Sequence, residues 1–292
     1  MANWARSFLR SNGSSTLRSC FLLGLMVWVG SSCWGLGVSA GQETPKASKF
    51  LICYNPTASI QDFEPYDIVV VDFAYPSKSV AALKQQGKTV FGYLSLGKVQ
   101  KERPFLVAIH DLGIACKQDS QFPDSLQIDV EDSRWQTLVL ESIVPKMKKI
   151  GFNGIFLDDL DDLKIRKLDD HGVTMIKQIR EANPDLKLMA NRGLEYSAQF
   201  ASSVDYLLLE SCFVLDGKKR KATDSIWALQ LLAGAKRVNP ELKGVAIDYV
   251  SKREQSLTKT QMKLIREVRS SHGKNGLISC VSFQDLQSVP RY

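Results

Sequence analysis

Short apolar, β-branched runs recur along the chain, each followed by a turn and then by a longer stretch of mixed character. The runs are Phe50–Asn55, Asp67–Phe73, Thr89–Gly97, Gly154–Asp158, Leu186–Asn191, Val204–Glu210, Gly244–Tyr249 and Leu277–Phe283. Their near-continuous apolar character fits strands covered on both faces, as in a parallel sheet. Helical periodicity alternates with them. It is clearest over Trp135–Ile150, where Leu138, Val139, Ile143, Met147 and Ile150 form one apolar face. Val173–Ala182, Ile226–Val238 and Thr258–Ser270 read the same way, and Thr258 with Gln261 three residues later makes a capping box. Eight such units in series predict an α/β protein with a single closed (β/α)8 barrel, a TIM barrel, rather than an open sheet. An open dinucleotide-type sheet calls for a glycine-rich turn after its first strand, and here Cys53-Tyr54-Asn55-Pro56 stands instead. The stretch Gln100–Asp129 is long for one loop and is predicted to hold a helix and an excursion over the barrel mouth.

The first forty residues break this pattern. They carry Arg6, Arg10 and Arg18 and no acid, then the apolar run Cys20–Gly30, then Val38-Ser39-Ala40 before Gly41. That order reads as a secretory signal peptide over 1–40. An uncleaved anchor is the alternative, although spanning a bilayer takes about 20 apolar residues. Residues 41–48 read as a polar tether and 49–292 as the barrel. The implied location is secreted, periplasmic or at the cell envelope, with peripheral envelope association. Losing the three arginines of residues 1–40 takes the formal net charge from +7 to +4. No basic stripe punctuated by aromatics remains, which argues against nucleic acid as a partner. The one dense run, Lys218-Lys219-Arg220-Lys221, reads as a solvated loop or as a contact for an anionic polymer. Cys53, Cys116, Cys212 and Cys280 lack CxxC spacing, so zinc is disfavoured and burial as small hydrophobes is the default reading for Cys53, Cys212 and Cys280. No cofactor or metal is predicted, and the sequence assigns no oligomeric state.

In a barrel of this kind, sites form at the C-terminal ends of the strands. Those ends are one-sidedly polar here. Tyr54 closes the first run, Asp72 the second, Tyr93 and Ser95 the third, and Asp158 with Asp159 and Asp161 the fourth. Asn191 and Arg192 close the fifth, Glu210 the sixth, Asp248 and Tyr249 the seventh. Glycosidic bond cleavage needs two carboxyl groups flanking the bond, one protonated and one ionised. Asp158 and Glu210 sit on strands next but one to each other and can face across a bound sugar. The apolar lead-in Tyr206-Leu207-Leu208-Leu209 favours a protonated Glu210 as acid and leaves Asp158 as nucleophile, in a retaining mechanism, though the two roles are exchangeable at this level. Tyr54, Asp72, Tyr93, Asp161, Asn191, Arg192, Asp248 and Tyr249 are the candidate substrate-binding residues. The cluster Asp158, Asp159, Asp161 and Asp162 has a rival reading as a divalent-cation site, but adjacent strand residues point to opposite faces, so the four cannot all converge.

Gly151-Phe152-Asn153-Gly154-Ile155-Phe156-Leu157-Asp158-Asp159-Leu160-Asp161 resembles the GFDGVFLDxxD signature of glycoside hydrolase family 114, the endo-α-1,4-polygalactosaminidase-like barrels. Further pieces agree in order. Gly92–Gly97 is similar to its GYISIGE, Ile128–Gln136 to its DIRDPRWQ, Asn191-Arg192-Gly193 to its Asn-x-Gly, and Leu209–Phe213 to its ESLF. The resemblance spans nearly all of the chain after residue 48. It implies a TIM barrel that cleaves an exported or cell-surface polysaccharide containing amino sugars, with Asp158 and Glu210 as the catalytic pair and Asp161 in support. One position departs: Lys98 stands where the pattern has Glu. A cation at the mouth would disfavour a free-amine substrate, which leaves N-acetylated, neutral and acidic glycans open. A barrel that binds glycan through Tyr54, Tyr93 and Tyr249 without cleaving it is the competing reading.

Overall fold

The apolar runs pair in chain order. In a computed structural model, which describes residues 49–292, the strands are β1 (Phe50–Cys53), β2 (Ile68–Val71), β3 (Thr89–Ser95), β4 (Gly154–Asp158), β5 (Lys187–Asn191), β6 (Tyr206–Glu210), β7 (Lys243–Ser251) and β8 (Ile278–Phe283). They form one eight-stranded sheet in sequential order, with every neighbouring pair parallel. The circle closes between the last strand and the first. A parallel bridge joins Lys49 to Ser279, and the Tyr54 amide donates to the Leu286 carbonyl at 2.8 Å. The signal or anchor over 1–40 and the tether over 41–48 lie outside the described residues. Among the described residues no helix is long and apolar enough to cross a membrane.

The connections depart from uniform strand–helix alternation. Helices Ser77–Gln85, Ser133–Ile150, Asp169–Ala182, Ala222–Val238 and Lys259–Lys274 cover the outside of the sheet. The Ser133–Ile150 helix widens to a π turn over Val139–Ile143, directly before Pro145. Proline has no N–H to give and crowds the carbonyl four residues back, which a wider turn relieves. Crossovers one and five are only 3-10 turns, Ile60–Phe63 in the first and Leu194–Gln199 with Ala201–Ser203 in the fifth. Pro56 and Pro65 bracket the first of these and leave little room for an α-helix. The capping box forms as the spacing predicts: the Gln261 amide donates to Thr258 Oγ1 at 3.2 Å and the Thr258 amide to Gln261 Oε1 at 3.0 Å. The excursion after β3 holds the helix Leu106–Asp111 and an antiparallel sheet of Lys98–Gln100, Ser125–Ile128 and Cys116–Gln118.

Alternation along each strand divides the core in two. Inward positions fill the barrel, where Phe91 and Tyr206 meet edge to face with centroids 5.6 Å apart. Outward positions pack on the helices; Val281 and Phe283 meet Ile265 and Val268 in this way. Cys53, Cys212 and Cys280 are buried, as expected, and burial raises their thiols to about 11, 12 and 12, which leaves them protonated and unreactive. The basic run is largely tied down: Lys218 and Lys219 pair with Val214 and Leu215 in a hairpin, Lys219 meets Glu267 at 2.8 Å, and Arg220 meets Asp224 at 3.0 Å.

Gly154 lies opposite Phe91 in the β3–β4 pairing. A Cβ there would collide with the Lys187 carbonyl oxygen and come within 2.5 Å of the Phe91 ring. Gly154→Ala should therefore cost about 1–3 kcal/mol, the usual penalty of overpacking. Thermal or urea unfolding of the variant beside wild type checks it, and an unchanged midpoint would refute this account of the contact.

Candidate active site

Six inward side chains at the C-terminal strand ends converge: Tyr54, Tyr93, Asp158, Asn191, Glu210 and Tyr249. The Asn191 amide nitrogen lies between the two carboxyl groups and donates to Asp158 Oδ1 at 2.8 Å and to Glu210 Oε2 at 3.2 Å. The Tyr249 hydroxyl donates to the other Glu210 oxygen, Oε1, at 2.8 Å. Tyr93 is hydrogen-bonded to Asp158 and meets the edge of Tyr54 with centroids 5.0 Å apart. Burial, and then the neighbouring carboxylates, hold all three phenols well above their ordinary range, so they remain protonated donors.

Glu210 is held above the usual carboxylate range. Burial is the largest cause. Arg192 opposes it, Asp158 adds to it, and the hydrogen bonds from Tyr249 and Asn191 oppose it again. The net direction favours the protonated form of Glu210.

The three central strands end in one recurrent way. Asp158, Asn191 and Glu210 each occupy the last strand position, and the residue after each takes a left-handed conformation: Asp159 at φ 66°, Arg192 at φ 62° and Ser211 at φ 52°. None of these is glycine, so each turn carries backbone strain. The turn swings the chain off the strand immediately behind the inward side chain. Asp159 thereby leaves the mouth, accepts from Ser95 Oγ at 2.5 Å and faces Lys98. The four aspartates diverge accordingly. Asp158 faces inward. Asp161 accepts from the Gly193 amide at 2.9 Å and from Arg192 Nε at 2.6 Å. Asp162 turns to Lys98 at 3.4 Å and to Arg166 at 3.3 Å.

A second ring of charge surrounds the pair. Arg103 reaches in from the excursion after β3, grips Asp72 with two hydrogen bonds of 2.8 Å each, and lies over the Tyr93 ring at 5.5 Å. Lys98 is only 7% exposed and contacts Asp119, Asp159 and Asp162 at 3.2, 3.6 and 3.4 Å. It is therefore not the cation open to the mouth that its sequence position suggested. Burial alone would lower its ammonium; the three aspartates more than reverse that and raise it.

Asp248 is also not where the sequence placed it. It is fully buried on the outward face of β7, accepts from the Phe213 and Val214 amides at 2.8 and 2.5 Å, and meets His272 Nε2 at 2.7 Å. The other ring nitrogen of His272 contacts Ser279 Oγ at 2.7 Å. Alternation decides this: Tyr249 faces the mouth, so its neighbour cannot. Asp248 instead pins the segment that follows Glu210. Arg103 escaped sequence reasoning because nothing in the strand pattern points to it, and His272 because its buried partner Asp248 lies 24 residues away in sequence.

The model of glycoside-hydrolase family GH114 matches residues 37–292. Solved structures with the same fold include the glycoside hydrolase domain of PelA from Pseudomonas aeruginosa. It has 24% identity and a TM-score of 0.68, over 83% of this chain and 97% of that one. Ega3 from Aspergillus fumigatus, in complex with galactosamine, has 13% identity and a TM-score of 0.64, over 82% and 92%. TtGalA, an α-galactosidase from Thermus thermophilus, has 11% identity and a TM-score of 0.52, over 83% and 58%. A comparison with curated protein sequences finds no match. With the family model covering the whole barrel, the chain belongs to glycoside-hydrolase family GH114 and is a glycoside hydrolase built on a TIM barrel.

Proposed function

We propose that this hydrolase cuts within an amino-sugar polysaccharide, of the polygalactosaminidase type, by a retaining displacement in which Asp158 attacks and Glu210 serves as acid and then base. The observation that carries the reading is the Asn191 amide bonded to both carboxyl groups. Bridged by one nitrogen at 2.8 and 3.2 Å, their nearest oxygens can be no farther apart than the sum of those lengths. Two carboxyl groups that share one donor leave little room for a water placed between them, which supports direct attack by Asp158 and the retaining scheme. The galactosamine held by the Aspergillus fumigatus relative supports an amino sugar as the unit recognised.

The chemistry runs in two steps. An Asp158 oxygen bonds to the anomeric carbon while the glycosidic C–O bond breaks and the leaving oxygen takes the Glu210 proton. Water then attacks the glycosyl ester, Glu210 takes a proton back, and Asp158 leaves as carboxylate. Asn191 holds both groups in register, while Arg192, fixed by Asp161, lies close enough to act on the charge of both. The Tyr93 and Tyr249 hydroxyls orient the two carboxyl groups, and Tyr54 packs on the edge of Tyr93 beside them. Asp158→Ala should lose activity by at least about 10³-fold and regain part of it with azide, and the first product released should keep the anomeric configuration of the substrate. Anomer analysis by NMR reads this directly, and initial release of the opposite anomer would rule out the retaining scheme.

Glu210 works protonated, so activity falls as pH rises through its pKa. The Tyr249 hydroxyl favours the ionised form, and removing it raises that pKa further. Tyr249→Phe should move the high-pH limb of kcat/KM upward by about one pH unit, the worth of one hydrogen bond to a charged group. A limb that stays put, or moves down, contradicts this assignment of the acid.

The basic, apolar, small-residue order of residues 1–40 supports export to the cell envelope or beyond, where such a polymer lies. Expression of the full chain in a bacterial host should yield a mature form beginning near Gly41 by N-terminal sequencing. Recovery of the intact chain in the membrane fraction would make the segment an anchor instead.

A further inference from the structure

One face of the barrel wall gathers exposed bases that the reaction does not use. The hairpin after β6 and the helix Lys259–Lys274 pack as one unit. Val214 of the hairpin, Val250 of β7 and Ile265 and Val268 of the helix share a small apolar cluster. Lys219 crosses from the hairpin to the helix and meets Glu267 at 2.8 Å. Ile265, Val268 and His272 are the buried positions of that helix, so helical spacing puts Lys259, Lys263 and Arg266 on the opposite, outer stripe. All three are exposed, as are Lys218 in the hairpin and Lys252 just past β7. The acids along these segments are Asp216, Glu254 and Glu267, and Glu267 is already engaged by Lys219 and, at 3.9 Å, by Lys263. The sign of the face is therefore positive.

Its shape and place decide what such a face meets. A polymer strand is held in a groove that tracks its backbone, whereas these bases stand on the outward side of a helix that itself lies outside the sheet. A broad negative surface fits that arrangement, because clustered lysines and arginines draw a protein onto anionic lipid head groups. The point where the chain enters the barrel agrees. Lys49 bridges to Ser279, and the Ser279 hydroxyl contacts His272 of the same helix. The segment with the basic, apolar order of residues 1–40 thus joins the barrel beside the strand that this helix covers.

We infer that this face, built from Lys218, Lys219, Lys252 and the stripe Lys259, Lys263 and Arg266, docks the enzyme on an anionic phospholipid bilayer. The contact is electrostatic and reversible. It lies apart from the reacting pair and does not depend on which polysaccharide is cut.

The test measures sedimentation of the full chain with vesicles of phosphatidylcholine alone and of phosphatidylcholine mixed with phosphatidylglycerol. Any insertion by the apolar run Cys20–Gly30 is common to every protein compared, so the change between variants is the readout. Lys218→Glu, Lys259→Glu and Arg266→Glu together reverse charge on the face and leave the Lys219–Glu267 pair intact. Lys78→Glu, Lys149→Glu and Lys177→Glu together, at exposed positions elsewhere, change the net charge by the same amount. Wild type should bind the mixed vesicles at least about tenfold more tightly than phosphatidylcholine alone, and added salt should erode the difference. The first triple variant should lose that preference and the second keep most of it, with both melting at the wild-type temperature. Should the first triple not fold, Lys218→Gln with Lys259→Gln, which only neutralises, should show a smaller loss in the same direction. Equal losses in the two triples make net charge the cause and overturn the inference. Wild-type binding that ignores phosphatidylglycerol overturns it too. Binding to a soluble sulfated polysaccharide without binding to vesicles does the same, and marks the face as a polymer contact instead.

Discussion

Closing eight parallel strands into a ring forces carboxyl groups together in a place from which water is largely removed, and the rest of this site follows from how those charges are kept. Like charges a few ångströms apart in a medium of low dielectric repel strongly, and burial alone drives a carboxyl group toward its neutral form. The chain resolves this by dividing the acids. Asp158 and Glu210 keep neutral donors, the Asn191 amide and the Tyr249 and Tyr93 hydroxyls. Asp72, Asp159 and Asp161 take cations and are fixed. Asp159 shows the pressure: burial and Asp158 push its carboxyl up, while Lys98 and the Ser95 hydroxyl push back. Without Lys98, the buried Asp119 and Asp159 and the half-buried Asp162 would crowd around one point.

Lys98 also explains how this chain tolerates a departure from its family's pattern. A glutamate at that position would add a fourth carboxylate to Asp119, Asp159 and Asp162. A lysine there makes the set mutually supporting, with Phe122 lying 4.9 Å from its ammonium. The substitution therefore concerns the wall behind Asp158 and not the charge offered to a substrate. The cation that does sit at the mouth is Arg103, and it is neutralised by Asp72 as fully as Lys98 is by its aspartates.

The strands were legible in the sequence because both of their faces are covered, which leaves apolar runs with little else in them. The convergence of Asp158 and Glu210 was legible because the polar side chains that face inward stand near the strand ends. Asp158, Asn191 and Glu210 all stand at the last strand position. Two things were not. Asp248 sits beside Tyr249 on one strand, and alternation lets only one of two neighbours face the mouth; identity alone could not say which, but the phenol that meets Glu210 settles it. The 3-10 crossovers and the arrival of Arg103 depend on how short connections and the small antiparallel sheet fold against the barrel. That is a tertiary outcome, and hydrophobic periodicity does not encode it.

The strained turns tie these points together. Left-handed backbone at a residue other than glycine costs about 1–2 kcal/mol and persists only where the surroundings impose it. Here it recurs at Asp159, Arg192 and Ser211, one residue beyond each of the inward side chains Asp158, Asn191 and Glu210. The surroundings that impose it are visible at each turn. Ser95 and Lys98 draw Asp159 outward, Asp161 binds both the Arg192 side chain and the Gly193 amide, and the Ser211 amide donates to the Ile247 carbonyl at 2.8 Å. Asp248 completes the last of these by holding two amides just beyond it, those of Phe213 and Val214. These buried polar groups outside the mouth thus act alike. Each holds a strand end in a turn it would not adopt alone, so that Asp158, Asn191 and Glu210 point at one another.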